Sequence, residues 1–368
     1  MAAADIDSQT KSLIPLVSDL YSVDSYYRNQ ERLIMSLTWR WNPLRSQRLL
    51  EDRLKLAGYH FEIQSHDNGI ILDIDPKRRL RIPRLNLILF IATLLSVYFV
   101  PVFVRNLGVN FTLGQALSNT FADLASGTGI IFTVAMISIL FVHEMGHYIA
   151  SRRRSIITSW PYFIPAPNII GTFGAVIKSK SPFRNRRDLI EVGAAGPIAG
   201  WIVALIWLIV GLAGSQVLPP SAPEFQRALV FSLDGESILM RILAPLLAGP
   251  APSGSFYHLS EAAFAGWVGL LVTAINLLPI GQLDGGHIIY GLWRRAQRTL
   301  GYVAMAALVL LGFDSPMWWV FALFGLIFGV SHPATMDDRK ELSRPARIMG
   351  IAALVILALS FTPVPFRL

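Results

Sequence analysis

The chain has no cysteine in its 368 residues. Disulfides, thiolate metal ligands and cysteine nucleophiles are therefore excluded, and any bound metal has to be held by His, Asp or Glu. Charge is also scarce: 15% of residues are charged and 53% hydrophobic, where a soluble domain carries about 25% charge. With a mean hydropathy of +0.49, most of the chain is expected in lipid. Acidic residues number 24 against 32 Lys and Arg. In a soluble protein that excess would suggest nucleic acid, but basic loops beside anionic lipid account for it, and no nucleic-acid partner is expected. No internal repeat is visible, so the repeated halves of many transporters are not indicated. The opening MAAADIDSQTKSLIPLVSDLY has early acidic residues and no apolar core of signal-peptide length. The N-terminus is expected in the cytoplasm.

Residues 1–84 read as a small soluble α+β domain, because they are charged and lack a run long enough to span a bilayer. Leu44, Leu49, Leu50, Leu54 and Leu56 have helical spacing, with Asn42 placed to cap the helix and Pro43 suited to its first position. YHFEIQ, the turn SHDNG and IILDID then read as a hairpin. The basic run Lys77, Arg78, Arg79, Arg81, Arg84 stops at LNLILFIATLLSVYFVPVFV, a stretch of spanning length. Further spans are expected near 129–151, 190–213, 261–279, 298–312, 316–331 and 346–362, with an interfacial or re-entrant stretch at 237–247. The fold class is thus mainly α, with residues 85–368 a multi-pass bundle of about seven spans. Lys and Arg concentrate in 151–187, 293–298 and 332–347. All three lie inside if the N-terminus is cytoplasmic, which satisfies the positive-inside rule and suits a bacterial cytoplasmic membrane.

Chemistry is concentrated in the second span, TGIIFTVAMISILFVHEMGHYIASRRR. A spacing of four puts His143 and His147 on one helical face, where both imidazoles can reach one zinc ion, with Glu144 beside them as a base. HExxH alone is a weak pattern. Three ionisable groups within five residues of a spanning helix cost several kcal/mol unless paired or ligated, which raises its weight. At 1.5 Å per residue, His147 lies about 7–8 Å and His143 about 13–14 Å from Arg152 along the axis, below the surface but short of the bilayer centre. A catalytic zinc needs a third ligand. NLLPIGQLDGGHIIYGLW breaks at Pro279 and Gly281, and broken backbone at membrane depth lines a cavity, so Asp284 is a candidate ligand. A role as the cap of the helix that follows is the alternative. His287 suits a ligand by residue type, but a helix-surface or capping role is the simpler reading. Gly196 and Gly200 form a GxxxG pair that close helix packing explains. Gly171, Thr172, Phe173, Gly174, Ala175, Val176 and Ile177 form a β-prone stretch. It would either offer an edge to an unwound substrate or close the cavity as a re-entrant loop.

HEMGH on one apolar helix joined to NLLPIGQLDGG on a later one resembles the site-2 protease family of intramembrane metalloproteases, particularly the branch without a PDZ domain found in cyanobacteria, other bacteria and plastids. The likeness runs from about Phe141 to Trp293 and includes FIPAPNIIGTFGAVIKSKSPFRNRRDLIEVGAAGPIAG. It implies one zinc per chain held by His143, His147 and Asp284, with Glu144 as general base and then acid. Asn276 would steady an oxyanion or hold the substrate backbone; an interhelical hydrogen bond is its other reading. The expected partners are a membrane-protein substrate and the lipid bilayer. A metal carrier would leave Glu144 without a task, and for an inactive helix-binding scaffold nothing in the motif is missing.

Overall fold

The computed structural model describes residues 13–29, 32–66, 68–75, 82–107, 112–154, 156, 158–179, 183–219, 221 and 236–365. These fall into two compact units, one built on the N-terminal residues together with 148–160 and 177–179, the other on the remainder.

The N-terminal unit carries a four-stranded antiparallel sheet: β1 (Tyr21–Asn29), β2 (Arg32–Trp39), β3 (His60–His66) and β4 (Gly69–Asp75), in the order β1-β2-β4-β3. Helix α1 (Pro43–Ala57) connects the two hairpins. Asn42 accepts from the Arg45 N–H, Pro43 takes the first helical position and Gly58 ends the helix at φ +80°, a conformation that suits glycine. Strand alternation puts Met35, Leu37, Leu72 and Ile74 on one buried face, against Leu50 and Leu54 of α1. Helix and second hairpin follow the sequence expectation, but β1 and β2 were not anticipated. The segment YSVDSYYRN is polar and carries a register shift between Val23 and Ser25, which blurs its alternation. Asp67 of the expected turn, and Lys77, Arg78, Arg79 and Arg81 of the basic run, lie outside the described residues.

The second unit is helical. Among the described residues three helices are long and apolar enough to cross a membrane: α2 (Arg84–Leu107), α4 (Ile130–Arg153) and α5 (Arg186–Leu212). Between α2 and α4 lies α3 (Leu113–Ala125), opened by a capping box of Thr112 and Gln115. Helix α6 (Ile238–Leu247) matches the expected short stretch. The remaining expected spans are shorter helices: α7 (Glu261–Asn276), α9 (Gln297–Leu311), α10 (Met317–Phe328) and α11 (Arg344–Ser360), of 12–17 residues, with α8 (Asp284–Trp293) after α7. At about 20 residues per crossing, seven full spans are not present as single helices, because glycine and proline interrupt the apolar runs. Helix α9 ends at Gly312 and α10 at Gly329.

Helix α5 lies at the centre. A β-carbon on Gly211 or Gly266 would strike the backbone of α7 or α5 respectively, and one on Gly146 would lie 2.6 Å from the Ala195 carbonyl. Small residues thus let α5 approach both α4 and α7 closely. Within this unit the segments around Arg184, Arg294 and Asp337 meet, where Asp337 N–H donates to Arg184 O (2.8 Å), Arg186 to Lys340 O (3.3 Å) and Arg294 to Asp338 (3.2 Å). Elsewhere, the Glu261 carboxylate at the start of α7 accepts from Gly129 and Phe132 N–H at 2.8 and 3.2 Å, anchoring the first turn of α4. Two small antiparallel sheets complete the unit: a hairpin of β5 (Tyr162–Pro165) with β6 (Thr172–Val176), and β7 (Gln216–Leu218) paired with β8 (Phe256–His258) from the far side of α6 in sequence.

Candidate metal centre

His143 and His147 sit one turn apart on α4, both buried, with ring centroids 4.9 Å apart. Asp284 is the first residue of α8 and brings Oδ2 to 3.2 Å from His147 Nε2 and 3.5 Å from His143 Nε2. The two Nε2 atoms are 3.2 Å apart. An ion with tetrahedral ligands at about 2.0–2.1 Å separates those ligands by about 3.3–3.4 Å. The three observed separations match that triangle, and among the described residues these three side chains form the group whose donor atoms converge.

The environment selects the donor atoms. His147 Nδ1 lies 2.8 Å from Val192 O, so it carries the proton and leaves Nε2 bare for a metal. Both imidazoles rest on α5 through glycines. A β-carbon on Gly196 would collide with the His147 ring, one on Gly200 would come within 2.9 Å of His143, and one on Gly193 within 2.9 Å of His287. The GxxxG pair does serve close packing, but what packs against it is the rings of His147 and His143. Pro197 one residue beyond leaves the Gly193 carbonyl without its helical donor.

Asp284 does not cap α8: Leu283 occupies the cap position and makes no side-chain bond there. His287 is neither a cap nor in the converging group; its Nδ1 lies 2.6 Å from His332 Nε2. Glu144 is 4% exposed and its Oε2 is buried without a partner among the described residues. A buried carboxylate oxygen left unpaired is costly, and a metal-bound water beside it would supply the missing donor. The donor set and this orphaned oxygen together fit zinc. Asn276 closes α7 half-buried, and its amide takes no hydrogen bond from a described residue. Gly171 turns at φ +81° into β6, whose Phe173 and Val176 are 69% and 50% exposed; the strand ends at Val176, so Ile177 lies past it. Val192, Gly193 and Glu261 were not singled out from sequence. The glycine spacing at 193, 196 and 200 was the available signal, since it falls on one face of α5.

An HExxH pair buried in an apolar helix bundle and completed by a distant aspartate defines a metallopeptidase-type centre. Residues 131–313 match Peptidase family M50, and the chain belongs to this family, that of the site-2 proteases. It is 33% identical over 264 residues to the probable zinc metalloprotease EGY2, chloroplastic, of Oryza sativa subsp. indica, covering 69% of this chain and 46% of that protein. To its Arabidopsis thaliana counterpart it is 35% identical over 236 residues, 62% of this chain and 40% of that protein. The probable zinc metalloprotease EGY1, chloroplastic, of Arabidopsis thaliana is 30% identical over 232 residues, with 62% and 42% covered. The chain therefore spans less than half the length of these relatives. No solved structure matches.

Proposed function

We propose that the chain is an intramembrane zinc metalloendopeptidase that hydrolyses peptide bonds of transmembrane protein substrates within or near the bilayer. The observation that carries this reading is the convergence of His143, His147 and Asp284 to within 3.5 Å beside the unpartnered Glu144 carboxylate. When bound, zinc would supply Lewis-acid polarisation and an acidified water. Glu144 accepts the proton of the attacking water at its free oxygen, holds it out of bulk solvent, and returns it to the departing amine nitrogen. Asn276, with its amide unengaged among the described residues, donates to the oxyanion or to the substrate backbone. Strand β6 belongs to a sheet of two strands among the described residues. Its backbone at Thr172–Val176, where the Thr172 hydroxyl stands in at Gly174 N–H and O, offers groups to an unwound substrate segment that displaces that hydroxyl, and exposed Phe173 adds an apolar contact.

The chain crosses the membrane about seven times, with α9, α10 and α11 turning exposed apolar side chains such as Val303, Leu326 and Ile348 toward lipid. The basic loops and the N-terminus face the cytoplasm of a bacterial inner membrane, and water reaches the centre from that side. The test is Glu144→Gln in the full chain. Metal analysis should find zinc retained, while comparison of membrane proteomes from cells carrying the wild-type and variant chains should show uncut membrane proteins accumulating. General acid–base groups contribute about 10²–10⁴-fold, so undiminished cleavage by the variant would end this reading.

A further inference from the structure

The loop between α10 and α11, residues 329–343, is bound at several points to the elements that build the metal centre. Val330 O accepts from Gly281 N–H (2.9 Å), inside the break that precedes Asp284, and from Gln297 Nε2 (2.9 Å); His332 N–H returns a bond to Gln297 Oε1 (3.0 Å). His332 Nδ1 faces Pro333 O at 2.5 Å, so in the neutral ring that nitrogen carries the proton. Its bare Nε2 then accepts from His287 Nδ1–H at 2.6 Å. Farther along, Asp338 accepts from Tyr290 OH (2.7 Å) and Arg294 (3.2 Å). His287, Tyr290 and Arg294 follow one another at helical spacing down a single face of α8. On its other side the loop donates Met336 N–H to Phe183 O (3.0 Å) and Asp337 N–H to Arg184 O (2.8 Å). That segment leads into α5, the helix on which both ligand imidazoles rest.

We infer that this loop is a strap that sets α8 against α5, and that His332 is a positioning residue which acts through His287 to hold Asp284 in reach of His143 and His147. The inference rests on the metal-centre reading above. His332 touches none of the three ligands. Its bond fixes the rotation of α8 one turn after Asp284, where a shift of the helix moves the carboxylate directly. Outer partners of metal ligands change metal affinity by about 10–100-fold, and the strap is expected to act at the lower end of that range.

The test uses the purified full chain and four forms: wild type, Asp284→Asn, His332→Leu and His332→Gln. Leucine removes both polar atoms of the ring, whereas glutamine keeps an acceptor near the Nε2 position. Zinc affinity is read by chelator competition and ligand geometry by the visible spectrum of the Co²⁺-loaded protein, with helix content as the folding control. His332→Leu should bind zinc about tenfold more weakly and shift the Co²⁺ bands at unchanged helix content, and His332→Gln should recover most of both. Wild-type affinity and spectrum in His332→Leu, alongside a changed Asp284→Asn, would overturn the strap while leaving the metal centre standing. No change in Asp284→Asn would overturn the metal centre itself. If His332→Leu loses helix content, the decision falls to His332→Gln. Folded and near wild type in both readouts, it supports the strap; folded with metal binding as weak as that of Asp284→Asn, it refutes action through the Nε2 acceptor.

Discussion

Replacing Gly196 with alanine should weaken zinc binding without unfolding the helix that carries it. The added β-carbon would collide with three atoms of the His147 ring, Nε2 among them. That ring cannot step aside freely, because its Nδ1 is tied to Val192 O at 2.8 Å and its own helix meets α5 backbone to backbone at Gly146. Over-packing of this kind costs about 1–3 kcal/mol. If ring displacement relieves it, the cost appears as lost metal affinity, roughly 5- to 150-fold at about 1.4 kcal/mol per factor of ten. Gly200→Ala, whose contact with His143 is 2.9 Å, should fall at the low end of that range. Gly114→Ala, with nothing within 4 Å, should leave zinc untouched. All three substitutions raise intrinsic helix propensity by about 1 kcal/mol, so a loss of affinity in the first two cannot be charged to a weakened helix. Chelator competition on the purified full chain, with circular dichroism beside it, gives the ordering. Equal zinc affinities in Gly196→Ala and Gly114→Ala would refute the seating of His147 on α5.

Glu261→Ala removes the acceptor for two N–H groups at the start of α4 and should destabilise the protein by about 1–2 kcal/mol. Thermal unfolding in detergent should show this, with zinc stoichiometry unchanged because the anchor lies at the far end of α4 from the histidines. Arg53, 1% exposed, binds both oxygens of Asp19 at 2.6 and 2.7 Å and Leu16 O at 2.9 Å. Arg53→Ala should cost the N-terminal unit about 3–5 kcal/mol, and limited proteolysis should then cut that unit first while the metal centre keeps its zinc. Phe173→Ser should raise KM for a membrane substrate with zinc content unaltered; an unchanged KM would remove Phe173 from substrate contact.

What the sequence made legible was what repeats locally. His143, Glu144 and His147 declare themselves by a spacing of four on a helix that is otherwise mainly apolar up to its basic last turn, and α1 by Asn42, Pro43 and its leucines. Asp284 was visible only as a ligand or a cap, since both uses place an aspartate at a helix start; Oδ2 at 3.2 Å from His147 Nε2 supports the ligand reading. The supports of the centre were hidden because they are tertiary. Val192 contributes a carbonyl that any residue would supply, and Gly196 and Gly200 are small for the sake of rings 49–57 positions away in sequence, which a GxxxG spacing cannot reveal. Hydropathy marked seven apolar stretches, of which three are helices long enough to cross a membrane among the described residues. It registers how apolar a stretch is and passes over where glycine and proline end the helix inside it.

The break between α7 and α8 shows how such an interruption survives in an apolar setting. Unpaired backbone away from water costs several kcal/mol per group, so the bonds of residues 277–283 must go somewhere. Leu277 N–H donates to Thr273 O, Leu278 to Ile275 O, Ile280 to Leu278 O and Leu283 to Ile280 O, while Gly281 reaches across to Val330 O at 2.9 Å. Pro279 has no N–H to place, and Gln282 is exposed. The glycines after the break make the turn compact enough to close these bonds: a β-carbon on Gly285 would collide with the Leu277 carbonyl, and one on Gly286 with that of Gly281. Four local bonds and one tether therefore serve a segment that could be neither helix nor strand. The same geometry starts α8 where its first side chain meets the two histidines. The Pro-Ile-Gly-Gln-Leu interval is thus what gives Asp284 its depth. Replacing it with uninterrupted helix formers would lengthen α7 by up to two turns and carry the carboxylate about 10 Å away from His147.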